Sequence, residues 1–462
     1  MNKTIKDYLK TNNKKILTDK IVESQKLKDS NFFVSLNKDS NFKMIDGPLT
    51  GVPFFEKDNI STKGILTTAG TNILKNYIPP FDATVHKELI DNGAVLVGKA
   101  TLDELGMGGT GLFAANGIVH NFYDKKRIIG GSSSGSAFAV SSGIVPFATG
   151  TDTGDSIRKP ASYAGIVGFK PTYGSISRYG VIPYAPSLDT VGLFANNVED
   201  VSYVSKLIFK QDLNDFTSIS NELKFENLDF TKKASIAYIK EVYDWMPNDV
   251  KEKYNLLNEK LKEVGHKINF ISFDTELLFL IQELYMIISY CEASSTHANL
   301  DGINFGARIN GKDYREIMSK SRGMGFGRVV KRRFVIGSYN LKKENQEKLF
   351  LKAKKIRRIL NDKIQKIYAK NDFLILPPAV DIAPLISDVL NKDIVTVVDE
   401  KQNALDTILV LANFNGMPSI TLPFYKKNNL PIGININANI REDSELLIFS
   451  QYLENILKGF YE

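Results

Sequence analysis

Two short turns rich in small residues, GGSSSGS at 130–136 and TGDS at 153–156, each set a serine hydroxyl among glycines. Glycine opens backbone conformations that turn N–H groups inward, and such concave nests hold anions and oxyanions. A hydroxyl beside a nest is the arrangement that acyl transfer needs: a nucleophile next to donors for the oxygen that becomes negative. The reaction also needs a base. The chain has four histidines. His86 and His266 stand in charged stretches expected to be exposed, and His120 and His297 could be buried but have no setting that marks a base. Lysine is the usual substitute. Lys57 follows the strand-like GVPFFE and precedes a turn, which places an ammonium at a strand end, where α/β sheets border their substrate crevices. An ordinary surface lysine is the competing reading. A phosphate-loop reading of Gly93 to Lys99 fails, because Ala100 stands where the magnesium-binding hydroxyl belongs and AVLV reads as a buried strand.

The elements that must position these residues are legible as short apolar runs broken by glycine and proline. GVPFFEKDNI, AVLVGKA, GIVPFATG and VGFKPTYG read as strands, alternating with helical stretches at 83–92 and 134–142. Farther on, KKASIAYIK, HKINFISF, FLILPPAV, SITLPF and IGININA read as strands, with helices over 248–264 and 342–368. A loop is expected up to Asn403 and a helix from Ala404. Residues 1–46 carry Ile5, Tyr8, Leu9, Ile16, Leu17 and Ile21 at helical spacing, which predicts one or two amphipathic helices outside the core. The fold class expected is α/β: a central mixed β-sheet covered by helices on both faces. No linker separates independent units, so a single domain is expected over 1–462, with N-terminal helices at 1–46, the motif-bearing core at 47–205, and the remainder at 206–462 completing the sheet and substrate pocket.

The segments GVPFFEKDNI, TTAGTNILKNYIPPFDATV, GAVLVGKATLDELGMGG, GGSSSGSAFAV, GTDTGDSIRKPASYAGIVGFKPTYGSISRYGVIPYAPSLDTVG and NFNGMPSITLPF span residues 51–423. They resemble the amidase signature family, and within it the glutaminase subunits of tRNA-dependent amidotransferases. The resemblance implies the amidase-signature fold and a Ser-Ser-Lys triad of Lys57, Ser132 and Ser156, with a cis peptide at Ser132. Neutral Lys57 would draw a proton through Ser132 from Ser156 as that oxygen attacks an amide. Lowering a lysine from about 10.4 to near 7 costs about 4 to 5 kcal/mol, which burial beside Phe54 and Phe55 must supply.

The resemblance implies an oxyanion hole from the amides of Thr153, Gly154, Asp155 and Ser156. This chain departs from the family at Asp155, Ser134 and Ile129, where the family has glycine, glycine and proline. Aspartate tolerates the left-handed region, and its carboxylate is expected to pair with Arg158 or Lys159. For substrate, the resemblance implies a tyrosine, an arginine and an aspartate holding glutamine. They are Tyr285, one of Arg332 and Arg333, and Asp406. An arginine fork suits the α-carboxylate and the aspartate suits the α-ammonium. The implied activity is glutamine hydrolysis, supplying ammonia for conversion of Glu-tRNA(Gln) to Gln-tRNA(Gln) in a heterotrimer with amidotransferase subunits B and C. The implied tRNA contacts and the use of ATP and Mg belong to the partner, with no cofactor or metal bound by this chain. The alternatives are a free-standing amidase acting on another amide and a catalytically impaired scaffold subunit.

Composition agrees with a soluble, cytoplasmic enzyme. The 462 residues are 43% hydrophobic, ample for a core, and the net charge of +7 is small against 59 basic and 52 acidic residues. That balance favours proximity to nucleic acid without requiring contact. The single cysteine, Cys291, excludes an intrachain disulfide. The longest apolar stretch, 277–290, is interrupted by Gln282 and Glu283, which argues against a membrane span. MNKTIKDYLKTNNKK lacks the apolar core of a secretory signal, so the mature chain is expected to start near residue 1.

Overall fold

The computed structural model describes residues 3–11, 15–38, 44–225, 228–391 and 399–461. Its frame is a mixed sheet of strands β1 (Phe33–Leu36), β2 (Pro53–Lys57), β3 (Val95–Ala100), β4 (Phe147–Asp152), β5 (Val167–Lys170), β6 (Thr190–Ala195), β7 (Ser235–Ile239), β8 (Lys267–Ile271), β9 (Phe373–Leu376), β10 (Ser419–Lys427) and β11 (Leu430–Ala438). Among the described residues these make one 11-stranded sheet in the order β1-β3-β2-β4-β6-β5-β10-β11-β9-β7-β8. β2 runs parallel to β3 and to β4, β7 runs parallel to β8 and β9, and the central pairings are antiparallel. β10 and β11 form a hairpin closed by Asn428 and Asn429, both left-handed, the conformation that a two-residue turn matching strand twist requires.

Side-chain alternation along the strands divides the core between the two faces. Phe54, Phe147 and Leu193 enter one apolar cluster, while their neighbours Phe55, Ala148 and Phe194 enter another. A period of two is what a sheet buried on both sides demands. The second cluster is closed by the helix Ser134–Ser141, whose residues are all buried. Its small residues let it lie directly on the backbone: a Cβ at Gly135 would stand 2.1 Å from the Phe32 carbonyl oxygen. The opposite cluster takes Val85 and Leu89 from the helix Thr84–Asp91 and Val198, Val201 and Val204 from the helix Val198–Ile208.

Four expectations change. The described residues of the first 46 form the α-helices Ile5–Leu9 and Ile16–Lys26 and a short 3-10 turn at Lys28–Ser30, but also β1, an edge strand pairing with β3. Ile5, Tyr8, Ile16 and Leu17 are buried in the main core rather than lying outside it. The helix expected from Ala404 starts at Glu400, capped by the Asp399 carboxylate on the Lys401 amide, and the stretch before it contains the helix Ile386–Asn391. Residues 392–398 of the expected loop lie outside the described residues. The long helix at 342–368 is divided by a wide turn at Glu347–Leu351 before the helix Lys352–Tyr368.

Candidate active site

Because β2 and β4 are parallel neighbours, their C-terminal ends meet, and this brings Lys57 beside Thr151 and the turn that follows Asp152. Lys57 is fully buried. Its Nζ lies 2.9 Å from Ser132 Oγ, 2.7 Å from Thr151 Oγ1 and 3.1 Å from the Thr151 carbonyl oxygen. All three neighbours are neutral oxygens. Burial lowers the Lys57 pKa to about 7, against the opposing pull of the Asp152, Asp103 and Asp189 carboxylates. Asp152 is engaged elsewhere, by the fully buried Arg158.

Ser132 follows a cis Gly131–Ser132 peptide and immediately precedes the N-terminal end of the helix Ser134–Ser141. Asp103 organises the loop over it. One Asp103 carboxylate oxygen accepts the amides of Gly109, Thr110 and Gly111, and the other accepts that of Phe113. Gly131 packs on this cage: a Cβ there would stand 2.1 Å from the Asp103 carboxylate. The amide of Ser133 donates to the Ser156 carbonyl at 3.2 Å, so the two serine turns are joined one residue past Ser132.

Ser156 sits in the turn between β4 and the helix Arg158–Ala164, 4% exposed. Among the described residues no acceptor takes the amides of Gly154, Asp155 or Ser156. Three spare donors beside a hydroxyl can stabilise an oxyanion. Arg158 holds this turn from below, donating to both Asp152 carboxylate oxygens, to the Gly154 carbonyl at 2.7 Å, to the Leu409 carbonyl at 2.8 Å and to Asn413 Oδ1 at 2.7 Å. Thr153 Oγ1 donates to Asp189, which also accepts the Tyr184 and Ala185 amides.

The expected left-handed turn at Asp155 does not occur, and neither Gly154 nor Asp155 has a positive φ. Glycine at 154 lets the Tyr285 ring pack closely, since a Cβ there would meet it at 3.1 Å and push it back by a few tenths of an ångström. Of the two expected partners Asp155 takes Lys159, at 2.9 Å, because Arg158 is committed to Asp152.

The substrate-binding candidates divide. Tyr285, in the helix Ile281–Thr296, packs on Gly154 and meets Tyr184 edge-on at 6.4 Å. Arg333 is buried in the helix Arg328–Asn340, donates to Tyr184 Oη at 2.6 Å and lies over the rings of Tyr184 and Tyr290, while Arg332 points to solvent. The buried Arg333 Nε has no partner among the described residues, which leaves a donor free for a carboxylate. Asp406 is exposed, with its carboxylate near Gln402 and its main-chain oxygen 2.6 Å from Lys159 Nζ.

The histidines are not arranged as expected. His86 and His266 are buried: His86 contacts Glu56 at 3.2 Å, and His266 accepts the Ala234 amide. Lys99, of the rejected phosphate-loop reading, is buried on β3 and paired with Glu56 at 3.0 Å. A cavity of about 660 Å³ lined by Tyr77, Phe81, Ile182, His297 and Phe305, among others, lies apart from Lys57, Ser132 and Ser156. Chemistry rather than cavity size therefore locates the site. Sequence reasoning missed Thr151, Asp103, Tyr184 and Asn413. Thr151, Tyr184 and Asn413 act through partners distant in the chain, and Asp103 through amides of the irregular loop that follows it, where no periodic spacing marks it.

A buried lysine, a serine on it and a second serine among free amides define an amide-cleaving constellation on a mixed sheet. The chain belongs to the amidase family, whose model, Amidase, matches residues 34–447. It is 45% identical over 424 residues to the A subunit of glutamyl-tRNA(Gln) amidotransferase from Mycoplasma pneumoniae, covering 89% of this chain and 87% of that one. The corresponding protein of Mycoplasma genitalium is 43% identical over 448 residues, covering 92% and 93%. The crystal structure of the A subunit of glutamyl-tRNA(Gln) amidotransferase from Thermotoga maritima matches with a TM-score of 0.83 at 31% identity, over 100% of this chain and 97% of that one. Among the described residues no helix is long and apolar enough to cross a membrane.

Proposed function

We propose that this chain is the glutamine-hydrolysing subunit of a tRNA-dependent amidotransferase, working in a complex with other subunits. The observation that carries the chemistry is the 2.9 Å contact between Ser132 Oγ and a lysine lowered to about 7. Likeness to the glutamyl-tRNA(Gln) amidotransferase proteins across nearly the whole chain supports glutamine as the substrate.

Neutral Lys57 accepts a proton from Ser132 Oγ as Ser132 accepts one from Ser156 Oγ, and the Ser156 oxygen bonds to the γ-amide carbon of glutamine. The carbonyl π pair moves to oxygen, where the amides of Thr153, Gly154, Asp155 and Ser156 receive it. Collapse expels ammonia, protonated back along Ser132 from Lys57, and leaves a γ-glutamyl ester on Ser156. Water then enters by the same relay and releases glutamate. Arg333 receives the substrate α-carboxylate and Asp406 the α-ammonium, with Tyr285 packed against the reacting turn. Partner subunits B and C, with ATP and Mg, activate Glu-tRNA(Gln) and consume the ammonia, and tRNA is held mainly by the partner.

Glutamine-dependent ammonia release, measured with and without the co-expressed partner subunits, tests this reading. Release that requires the complex supports it. Rapid hydrolysis of simple amides by the isolated chain, with glutamine no better, would show a free-standing amidase, and no release from any complex would show a scaffold role.

A further inference from the structure

The turn that carries Ser156 contains a charge pair of its own. Asp155 Oδ2 lies 2.9 Å from Lys159 Nζ, and their side chains are 22% and 15% exposed. The Lys159 amide also donates to the Asp155 carbonyl at 2.9 Å, so helical geometry fixes the four-residue spacing. The same ammonium donates to the Asp406 main-chain oxygen at 2.6 Å, joining the nucleophile turn to the helix Glu400–Thr407. Both charges thus border the residues assigned to glutamine: Asp155 follows Gly154, on which Tyr285 rests, and Lys159 bonds the main-chain oxygen of Asp406.

We propose that Asp155 and Lys159 are a mutually neutralising positioning pair, which keeps the oxyanion turn free of net charge and clamps Asp406 to it. This rests on the glutaminase reading for the identity of the substrate, though not for the effect on Ser156. Each charge alone is harmful in its own way. An unpaired Asp155 carboxylate repels the oxygen that becomes negative, which slows acylation. An unpaired Lys159 ammonium repels the α-ammonium that Asp406 receives, which weakens substrate binding. At an effective dielectric of about 20, an uncompensated unit charge within roughly 10 Å of a reacting charge is enough to change a rate or affinity by about tenfold or more.

The test is a double-mutant cycle of Asp155→Asn and Lys159→Gln in the assembled complex. It reads kcat and KM for glutamine, together with the rate at which a neutral fluorophosphonate labels Ser156. Lys159→Gln is expected to slow labelling and kcat about tenfold and also to raise KM, because the tie to Asp406 is lost, whereas Asp155→Asn, which keeps its main-chain amide, is expected to raise KM about tenfold while slowing labelling far less than Lys159→Gln does. The double variant should label at least about fivefold faster than Lys159→Gln, a rescue that a purely structural role does not produce. Labelling rates that multiply, with the double variant no faster than Lys159→Gln, would overturn the pairing. The labelling cycle decides the pair, and a complex that labels but never hydrolyses glutamine refutes the substrate reading instead.

Discussion

Lys57 makes the sharpest prediction, because one buried group sets both a pH profile and a stability. With its pKa near 7, the neutral fraction should be about 10% at pH 6 and about 90% at pH 8, so acylation of Ser156 rises about tenfold over that interval and then levels. Stability follows with a definite sign. Below pH about 7 the ammonium is charged in both the folded and the unfolded chain, and the folded state carries the whole desolvation cost. From 10.5 down to about 7, a separation worth about 5 kcal/mol, only the unfolded chain holds the proton, so stability rises with pH through that window. Lys57→Met removes the cost and loses the bonds to Ser132 and Thr151, together worth about 1 to 3 kcal/mol. The variant should be inert, yet about 2 to 4 kcal/mol more stable than the parent at pH 6, the advantage vanishing by pH 10. Fluorophosphonate labelling and urea unfolding across pH read both quantities. A labelling rate flat between pH 6 and 8, or a variant less stable than the parent at pH 6, would refute the reasoning.

Three further outcomes follow from buried charge. Arg158→Ala strands the Asp152 carboxylate and releases the Gly154 carbonyl, so unfolding should cost about 3 to 5 kcal/mol less and labelling of Ser156 should slow, as urea titration and the labelling rate will read. Burial raises the Glu56 pKa, but Lys99 and His86 overcome it and hold the carboxyl down to about 2. The parent should therefore lose stability as pH falls from about 4.5 toward 2, and Lys99→Met should move that acid transition upward in circular dichroism. Arg333→Gln should raise KM for glutamine at least about tenfold in the ammonia assay while Arg332→Gln stays within about twofold, because only Arg333 faces inward.

Where local pattern decides structure, the sequence is readable. The apolar runs ending at Lys57 and Asp152 are neighbouring parallel strands, and the small residues after Ser132 form a helix lying on the sheet. In sequence Arg332 and Arg333 stand undivided, and the structure decides for Arg333, which shares the buried stripe of its helix with Val330, Phe334 and Gly337 at spacings of three and four. What local pattern cannot show is pairing across the chain. Nothing near His86 in sequence announces Glu56, and nothing near Tyr184 announces Arg333, 149 residues on. β1 escapes because four half-buried residues in a charged stretch carry no alternation of their own. Asp155 in place of glycine suggests an unusual backbone, whereas its φ is ordinary, and only the commitment of Arg158 elsewhere decides between its two candidate partners in favour of Lys159.

The central claim is that Ser156 is the nucleophile toward glutamine. Treating the complex with a glutamine-derived diazo ketone and mapping the adduct by peptide mass spectrometry tests it directly. The account predicts one adduct, on the peptide containing Ser156, slowed by free glutamine and absent in Ser156→Ala, with ammonia release abolished in the same variant. An adduct on another residue, or glutamine hydrolysis that survives Ser156→Ala, would contradict it.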